Sequence, residues 1–369
     1  MKSRFFQISA FFFFYFALIG VYVIYLPKIL QSIGYAPAAI GFIFSIAPLM
    51  RFITPFFFLK HFALTTRVLY IALGMMLISI PLFYLTIDTL WLFALTNVLY
   101  GISSGLVLPY IETYALEVLK KERYGRARLY GSIGFIVVAL LLARLLHGRM
   151  TGLHFMAITI LCSVWFAYAI SRENPDFNAP RPADGKGFDL FGELPLWLSI
   201  FLMQVSFGAF YSFFTIYESA HGLSLPMISY LWTFGVICEI VLFYYQSRFL
   251  HFSLLKIIRF TVAITVLRWL LVDIFPDSIE MLFLSQSLHA FSFALYHTAT
   301  LSYLSTIYPD RKLAAQFYYG FGFGLGGFFG SLVAGYAYGP HLFLVSAVVA
   351  AAALAALLFA RDRITSASV

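Results

Sequence analysis

Inside the apolar run SQSLHAFSFALYHTATLSYL, residues 285–304, stand two imidazoles, His289 and His297, eight positions apart. Histidine exchanges protons near neutral pH, ligates metals and can serve as a general base. Other runs equally poor in polar groups hold Arg51, Glu239 and Arg268, with Trp232 seven residues before Glu239 and so on the same helical face. Metal binding on a helix needs ligands one turn apart, yet neither histidine has a His, Cys, Asp or Glu at that spacing. Cys162 and Cys238 both lie in apolar runs and suggest no disulfide framework, only packing. No nucleophile–base pair stands out, so neither an enzyme nor a metal or cofactor protein is expected. What remains is reversible charging and the holding of an anion, with the proton as the ion handled.

Such groups are costly where they stand. The 369 residues are 62% hydrophobic, 20% aromatic and 11% charged, with a mean hydropathy of +0.90, whereas a soluble domain carries about 25% charged residues. Runs long enough to cross a bilayer recur from end to end. We place them at 5–27, 38–58, 67–87, 89–115, 128–147, 152–171, 194–217, 226–247, 255–275, 279–307, 313–338 and 340–360. The reading is an all-α membrane protein of twelve transmembrane helices. A charge at mid-bilayer costs about 2.5–3.5 kcal/mol even on the gentler insertion scales, so each needs a partner, water or a task.

Basic residues set the orientation. With both termini cytoplasmic, the inner ends and loops collect Lys120, Lys121, Arg123, Arg126, Arg172, Arg248, Arg259 and most of the rest, while Asp88, Asp273, Asp277 and Glu280 gather on the opposite face. The net charge of +8 is then a topology signal, and no basic soluble face remains for nucleic acid. The start, MKSRFFQISAFFFFYFALIG, has a charged n-region, but its apolar stretch is too long for a signal peptide and is read as the first helix. The expected setting is a bacterial inner membrane, with the bilayer and a small-molecule substrate as partners and a functional monomer.

One polar segment, SRENPDFNAPRPADGKGFDLFGELP (171–195), breaks the pattern and reads as a linker. It divides the chain into bundles at 1–171 and 194–369, joined by a cytoplasmic linker at 172–193. A shift of 188 residues lays GYAPAAIGFIFSIAPLMR (34–51) over GLSLPMISYLWTFGVICE (222–239), matching Gly34 with Gly222, Ile40 with Ile228 and Ser45 with Thr233. The same shift pairs Gly20 with Gly208, and Arg51 with Glu239. Two pseudo-symmetric halves of six spans each keep one orientation, which is the major facilitator arrangement.

On a helical wheel Gln286, His289, Tyr296, His297 and Thr300 fall within an arc of about 100°. With Glu239 and Arg268 they look like the wall of a watered cavity. We expect Glu239 to be the proton-linked group, Arg268 its counter-charge, and the two histidines to bind substrate or relay the proton. In the first half Asn97 and Glu112 on the fourth span and Arg128 entering the fifth form another polar set, either an inner-gate ion pair or part of the binding site. Gly125, Gly131 and Gly134, and the run from Gly320 to Gly327, suit close and mobile helix packing.

The stretches YGRARLYGSIGF (124–135), SYLWTFGVICEIVLF (229–243), LRW (267–269) and SQSLHAFSFALYH (285–297) resemble the phenylpropionate permease group of the major facilitator superfamily. That group is related to the lactose permease and nucleoside–proton symporter branch. The resemblance implies a proton symporter with a central cavity, and Arg51, Glu112, Arg128, Trp232, Glu239, Arg268, Trp269, Gln286, His289 and His297 fall where the group has the same or a similar residue. Two departures stand out. Thr300, not a carboxylate, follows His297 by one turn, and FLKHFALTTR (58–67) lacks the Asp of the superfamily's loop signature.

Together these point to a secondary transporter working by alternating access, importing a small organic solute with protons. Two cavity arginines and many rings favour an aromatic carboxylate such as phenylpropionate. Sugar or nucleoside symport is the alternative, and drug or metabolite efflux on the same fold a third. A sensor would need a soluble output domain, and the linker is too short to be one.

Overall fold

The computed structural model describes residues 2–54, 64–173, 177, 189–360 and 362. Most of the expected loop signature region (58–63 of 58–67) and linker residues 174–176 and 178–188 lie outside them. Regular structure among the described residues is helical, with no β-strand. That follows from the solvent: in hydrocarbon every backbone N–H and C=O must be satisfied internally, which a helix does within one segment.

Among the described residues nine helices are long and apolar enough to cross a membrane: α1 (Ser3–Ser32), α2 (Pro37–Thr54), α3 (Thr66–Thr86), α4 (Leu90–Leu119), α5 (Arg123–Leu145), α6 (Arg149–Arg172), α7 (Phe191–Ala220), α8 (Leu225–Tyr245) and α11 (Leu313–Tyr336). Three further helical stretches stand at the other expected spans: α9 (Leu254–Ile274), α10 (279–307) and α12 (Leu342–Leu358). α9 carries Lys256, Arg259, Arg268 and Asp273 within its length, and α12 has only 17 residues.

Helical hydrogen bonding runs unbroken from Leu90 to Leu145, yet this is not one rod. Arg128 Nε lies 3.4 Å from Glu112 Oε1, whereas sixteen residues of straight helix would separate them by about 24 Å. The chain therefore doubles back between α4 and α5.

Helix starts are marked as sequence chemistry predicts. The side chains of Thr65, Ser224, Ser278 and Asp310 accept hydrogen bonds from the backbone N–H three residues on, opening α3, α8, α10 and α11. The ends of α1 and α7 repeat each other closely. Gly34 and Gly222, paired by the 188-residue shift, both adopt positive φ, 97° and 88°. In each case the next residue bonds back five positions, Tyr35 N to Leu30 O at 3.0 Å and Leu223 N to Glu218 O at 3.1 Å. This is the same left-handed glycine stop at both places.

Small residues let backbones touch. Gly134 of α5 abuts the backbone of Phe13 in α1, and Gly208 of α7 abuts that of Gly330 in α11, with no room for even a methyl group at either. Gly125 meets nothing. Several seams join the first six helices to the last six. Gly41 of α2 packs on Gly335 of α11, Phe135 of α5 lies 6.1 Å from Trp232 of α8, and Tyr25 of α1 bonds Ser229 at 2.7 Å.

Three helices carry wide π turns: Val21–Tyr25 in α1, Ala290–Leu295 in α10 and Tyr318–Gly326 in α11. Such turns cluster at functional positions. Here one sits beside each part of the site.

Candidate functional site

α8, α9 and α10 bring the second-half residues together. Glu239 Oε2 lies 3.7 Å from His289 Nε2, their side chains 16% and 8% exposed. The expected pairing of Glu239 with Arg268 is not what forms. Arg268 is fully buried and turns its guanidinium to neutral partners, donating to Gln286 Oε1 and Ser292 Oγ, both at 3.3 Å. Its charge also lies over the rings of Phe210 at 4.3 Å, Trp269 at 4.4 Å and Phe207 at 5.5 Å. The reason is local. α9 aims Arg268 between α7 and α10, where π faces take up positive charge, each contributing up to about 2 kcal/mol when desolvated. Glu239 faces the imidazole instead.

Around this cluster several donors are left open. Among the described residues Arg268 Nε, Gln286 Nε2 and Trp232 Nε1 are buried without a hydrogen-bond partner, as is His289 Nδ1. A buried polar group in that condition costs about 1–3 kcal/mol, so the arrangement is suited to an occupant that brings acceptor atoms. Gly235 of α8 packs closely on Gln286 and His289, and a Cβ there would come within 3.2 Å of Gln286 Oε1.

His297 belongs to a separate contact set. Its Nδ1 and Nε2 each lie 3.2 Å from a hydroxyl, those of Tyr318 and Tyr319 on α11. Between the two histidines stands Phe293, stacked 5.3 Å from His289 and 6.2 Å from His297 at interplanar angles of 12° and 14°. A regular α-helix would turn residues eight apart by about 80°. The π turn has i→i+5 hydrogen bonds and fewer degrees per residue, so the three rings form one column.

The first half contributes from the facing side. Arg51 is exposed, and its stem lies beside Gly105 of α4. Its charge reaches Tyr15 and Tyr22 of α1, Tyr100 of α4 and Tyr211 of α7, which puts it between the halves. Arg128 pairs with Glu112 at 3.4 Å, both about one-third exposed, and stacks over Phe16 at 3.8 Å. Its field also reaches Glu239 and His297 across the seam. Asn97 accepts from Tyr22 at 2.7 Å and donates to Phe93 O.

The sequence reading thus brought together Glu239, Arg268, Gln286 and His289, with His297, Arg51, Glu112 and Arg128 around them. Trp232 touches not Glu239 but Phe210, ring to ring at 4.2 Å. The reading missed Phe210 and Phe207 on α7, and Tyr318 and Tyr319 on α11. Phe207, Phe210 and Phe214 recur at i, i+3 and i+7, the mark of one helical face, but in a chain this rich in phenylalanine that pattern is everywhere.

The family model described as MFS_1 like family matches residues 5–345. A probable 3-phenylpropionic acid transporter from Escherichia coli (strain K12) is 23% identical over 321 residues, 84% of each chain. The uncharacterized transporter YwbF of Bacillus subtilis (strain 168) is 24% identical over 309 residues, 80% of this chain and 77% of its own. Among solved structures, the nucleoside transporter NupG superposes with a TM-score of 0.79 at 17% identity, covering 96% of this chain and 98% of its own. The peptide-family transporter PepTSo reaches 0.75 at 10% identity, with 97% of each chain covered; at such identities the likeness is one of fold. With the family model spanning nearly the whole chain, this protein belongs to the MFS_1 like family, and it is a multi-pass transporter rather than an enzyme.

Proposed function

We propose that this chain imports a small aromatic carboxylate together with protons across a bacterial inner membrane, as a monomer with twelve spans and both termini cytoplasmic. Two six-helix bundles, 1–171 and 194–369, would rock about a shared central chamber. The observation that carries the reading is the meeting of Glu239 and His289 at 3.7 Å in mid-span, beside a buried Arg268 whose hydrogen-bond partners among the described residues are neutral.

The chemistry runs as follows. An approach of under about 1 Å from their 3.7 Å separation would let Glu239 and His289 exchange a proton, since either can hold it while the other accepts a hydrogen bond from it. A neutral pair crosses the closed state at little electrostatic cost, whereas a bare carboxylate there would be expensive. Arg268 and Arg51 attract the anion from the two sides of the chamber, and the donors on Gln286 and Trp232 complete its binding. The relative named for 3-phenylpropionic acid supports the aromatic acid as substrate class.

The test is proton movement in proteoliposomes holding the purified chain. Addition of 3-phenylpropionate is expected to drive alkalinisation outside, while sugars and nucleosides do not. Proton flux with a nucleoside or sugar but none with aromatic acids would replace the substrate assignment. Solute flux without proton flux would overturn the coupling.

A further inference from the structure

The side chain of Phe210 sits at the centre of the open donors described above. Its ring is 1% exposed. It lies 4.2 Å from Trp232, 5.5 Å from His289 and 5.7 Å from Trp269, with the Arg268 guanidinium 4.3 Å above it. On three of those neighbours a buried polar atom, Trp232 Nε1, His289 Nδ1 or Arg268 Nε, has no hydrogen-bond partner among the described residues. A hydrocarbon ring cannot satisfy them. The surroundings are thus built for a group with both a π face and acceptor oxygens, and Phe210 supplies only the first.

We propose that Phe210 is a specificity-determining plug, its phenyl ring standing where the ring of a bound aromatic carboxylate docks between Trp232 and Trp269. This rests on the reading of the solute as an aromatic acid, and it specifies where the ring and the carboxylate go. When the ring of Phe210 leaves, a phenyl group of equal size takes its place against the two indoles. The carboxylate, a short chain away, then accepts from Arg268 and Gln286, which closes the open valences. The displaced ring of Phe210 then walls the vacated space on one side, so a ring much larger than phenyl does not fit while Phe210 is present.

The backbone provides the movement. α7 is helical over Leu194–Ser206 and again over Gly208–Ala220, with the break at Phe207. Phe210 is therefore in the first turn after the break. Gly208 holds the same point against Gly330 of α11 without an intervening side chain, so the second piece of α7 can pivot there and carry Phe210 with it.

The test is binding to the full-length chain in detergent. Labelled 3-phenylpropionate is displaced by unlabelled 3-phenylpropionate or by 3-(2-naphthyl)propionate, for wild type, Phe210→Ala and Phe210→Leu. Wild type is expected to prefer the phenyl acid. In Phe210→Ala the ratio of the two affinities should move toward the naphthyl acid by at least about tenfold, the scale on which an apolar pocket discriminates size. Phe210→Leu keeps a core-sized side chain and carries the same test, with a smaller shift in the same direction, should the alanine variant not fold. An unchanged ratio in a folded variant, with wild type binding the phenyl acid, overturns the plug alone. Wild type that binds neither acid overturns the plug and the substrate class together.

Discussion

Glu239 and His289, from α8 and α10, face each other across 3.7 Å with Arg268 one helix away and turned elsewhere. The carboxyl is therefore partnered by the imidazole rather than by the arginine. Replacing Glu239 with Gln keeps the shape and removes the titrating group. Uphill uptake of 3-phenylpropionate on a pH gradient should fall to the equilibrium level, while exchange of solute against solute persists. The measurement is accumulation against counterflow in the same vesicles; accumulation by this variant would show the coupling group to be elsewhere.

Arg268 should not tolerate lysine. The guanidinium reaches Gln286 and Ser292 at once and lies over three rings, whereas an ammonium offers a point charge without a planar fork. Arg268→Lys is expected to weaken solute binding about tenfold or more with the chain still folded. Arg268→Ala should also destabilise, on the order of the 2–5 kcal/mol lost when a buried long side chain is truncated to Ala. Binding isotherms and thermal unfolding in detergent separate the two effects.

Glu112 and Arg128 offer a way to tell a gate from a brace. Their side chains are 31% and 33% exposed at 3.4 Å, and pairs so solvated couple by less than about 1 kcal/mol. A double-mutant cycle on unfolding with Glu112→Gln and Arg128→Gln should give a coupling in that range. If transport falls steeply in either single variant while stability hardly moves, the pair serves binding or gating and not the fold.

The glycine seams predict strong position dependence. Gly208 and Gly134 each press against another backbone, while Gly125 meets nothing within reach. Alanine at Gly208 or Gly134 should therefore lower stability by about 1–3 kcal/mol or more, the usual penalty of overpacking. Alanine at Gly125 should be neutral or slightly favourable, since it removes a helix-weakening glycine. Thermal unfolding of the three purified variants ranks them directly.

Much of this architecture was legible because the bilayer restricts what a chain can do. The apolar runs coincide with helices within a few residues, as at 313–338 against Leu313–Tyr336. The shift that paired Gly34 with Gly222 met the two positive-φ stops. Charges in greasy runs drew attention to Glu239, Arg268 and His289 because their burial is costly. Which charge meets which was not legible. A wheel with a constant angle per residue cannot contain a π turn, so the column of His289, Phe293 and His297 was missed. Nor could the spacing say that Arg268 would settle on π faces rather than on Glu239, a choice made by α7. Phe210 was invisible for a compositional reason: among 43 phenylalanines nothing in the sequence marks one as special.

The wide turn at Ala290–Leu295 also sets the phase of everything after it in α10. Closing it into an ordinary α-helical ladder with no residue deleted would swing each residue beyond by about 80° relative to the part before. His297 would then rotate off Tyr318 and Tyr319, and Tyr303, now fully buried, would be carried out of its seat. The helix would be more regular, and its two ends would no longer address the same interior.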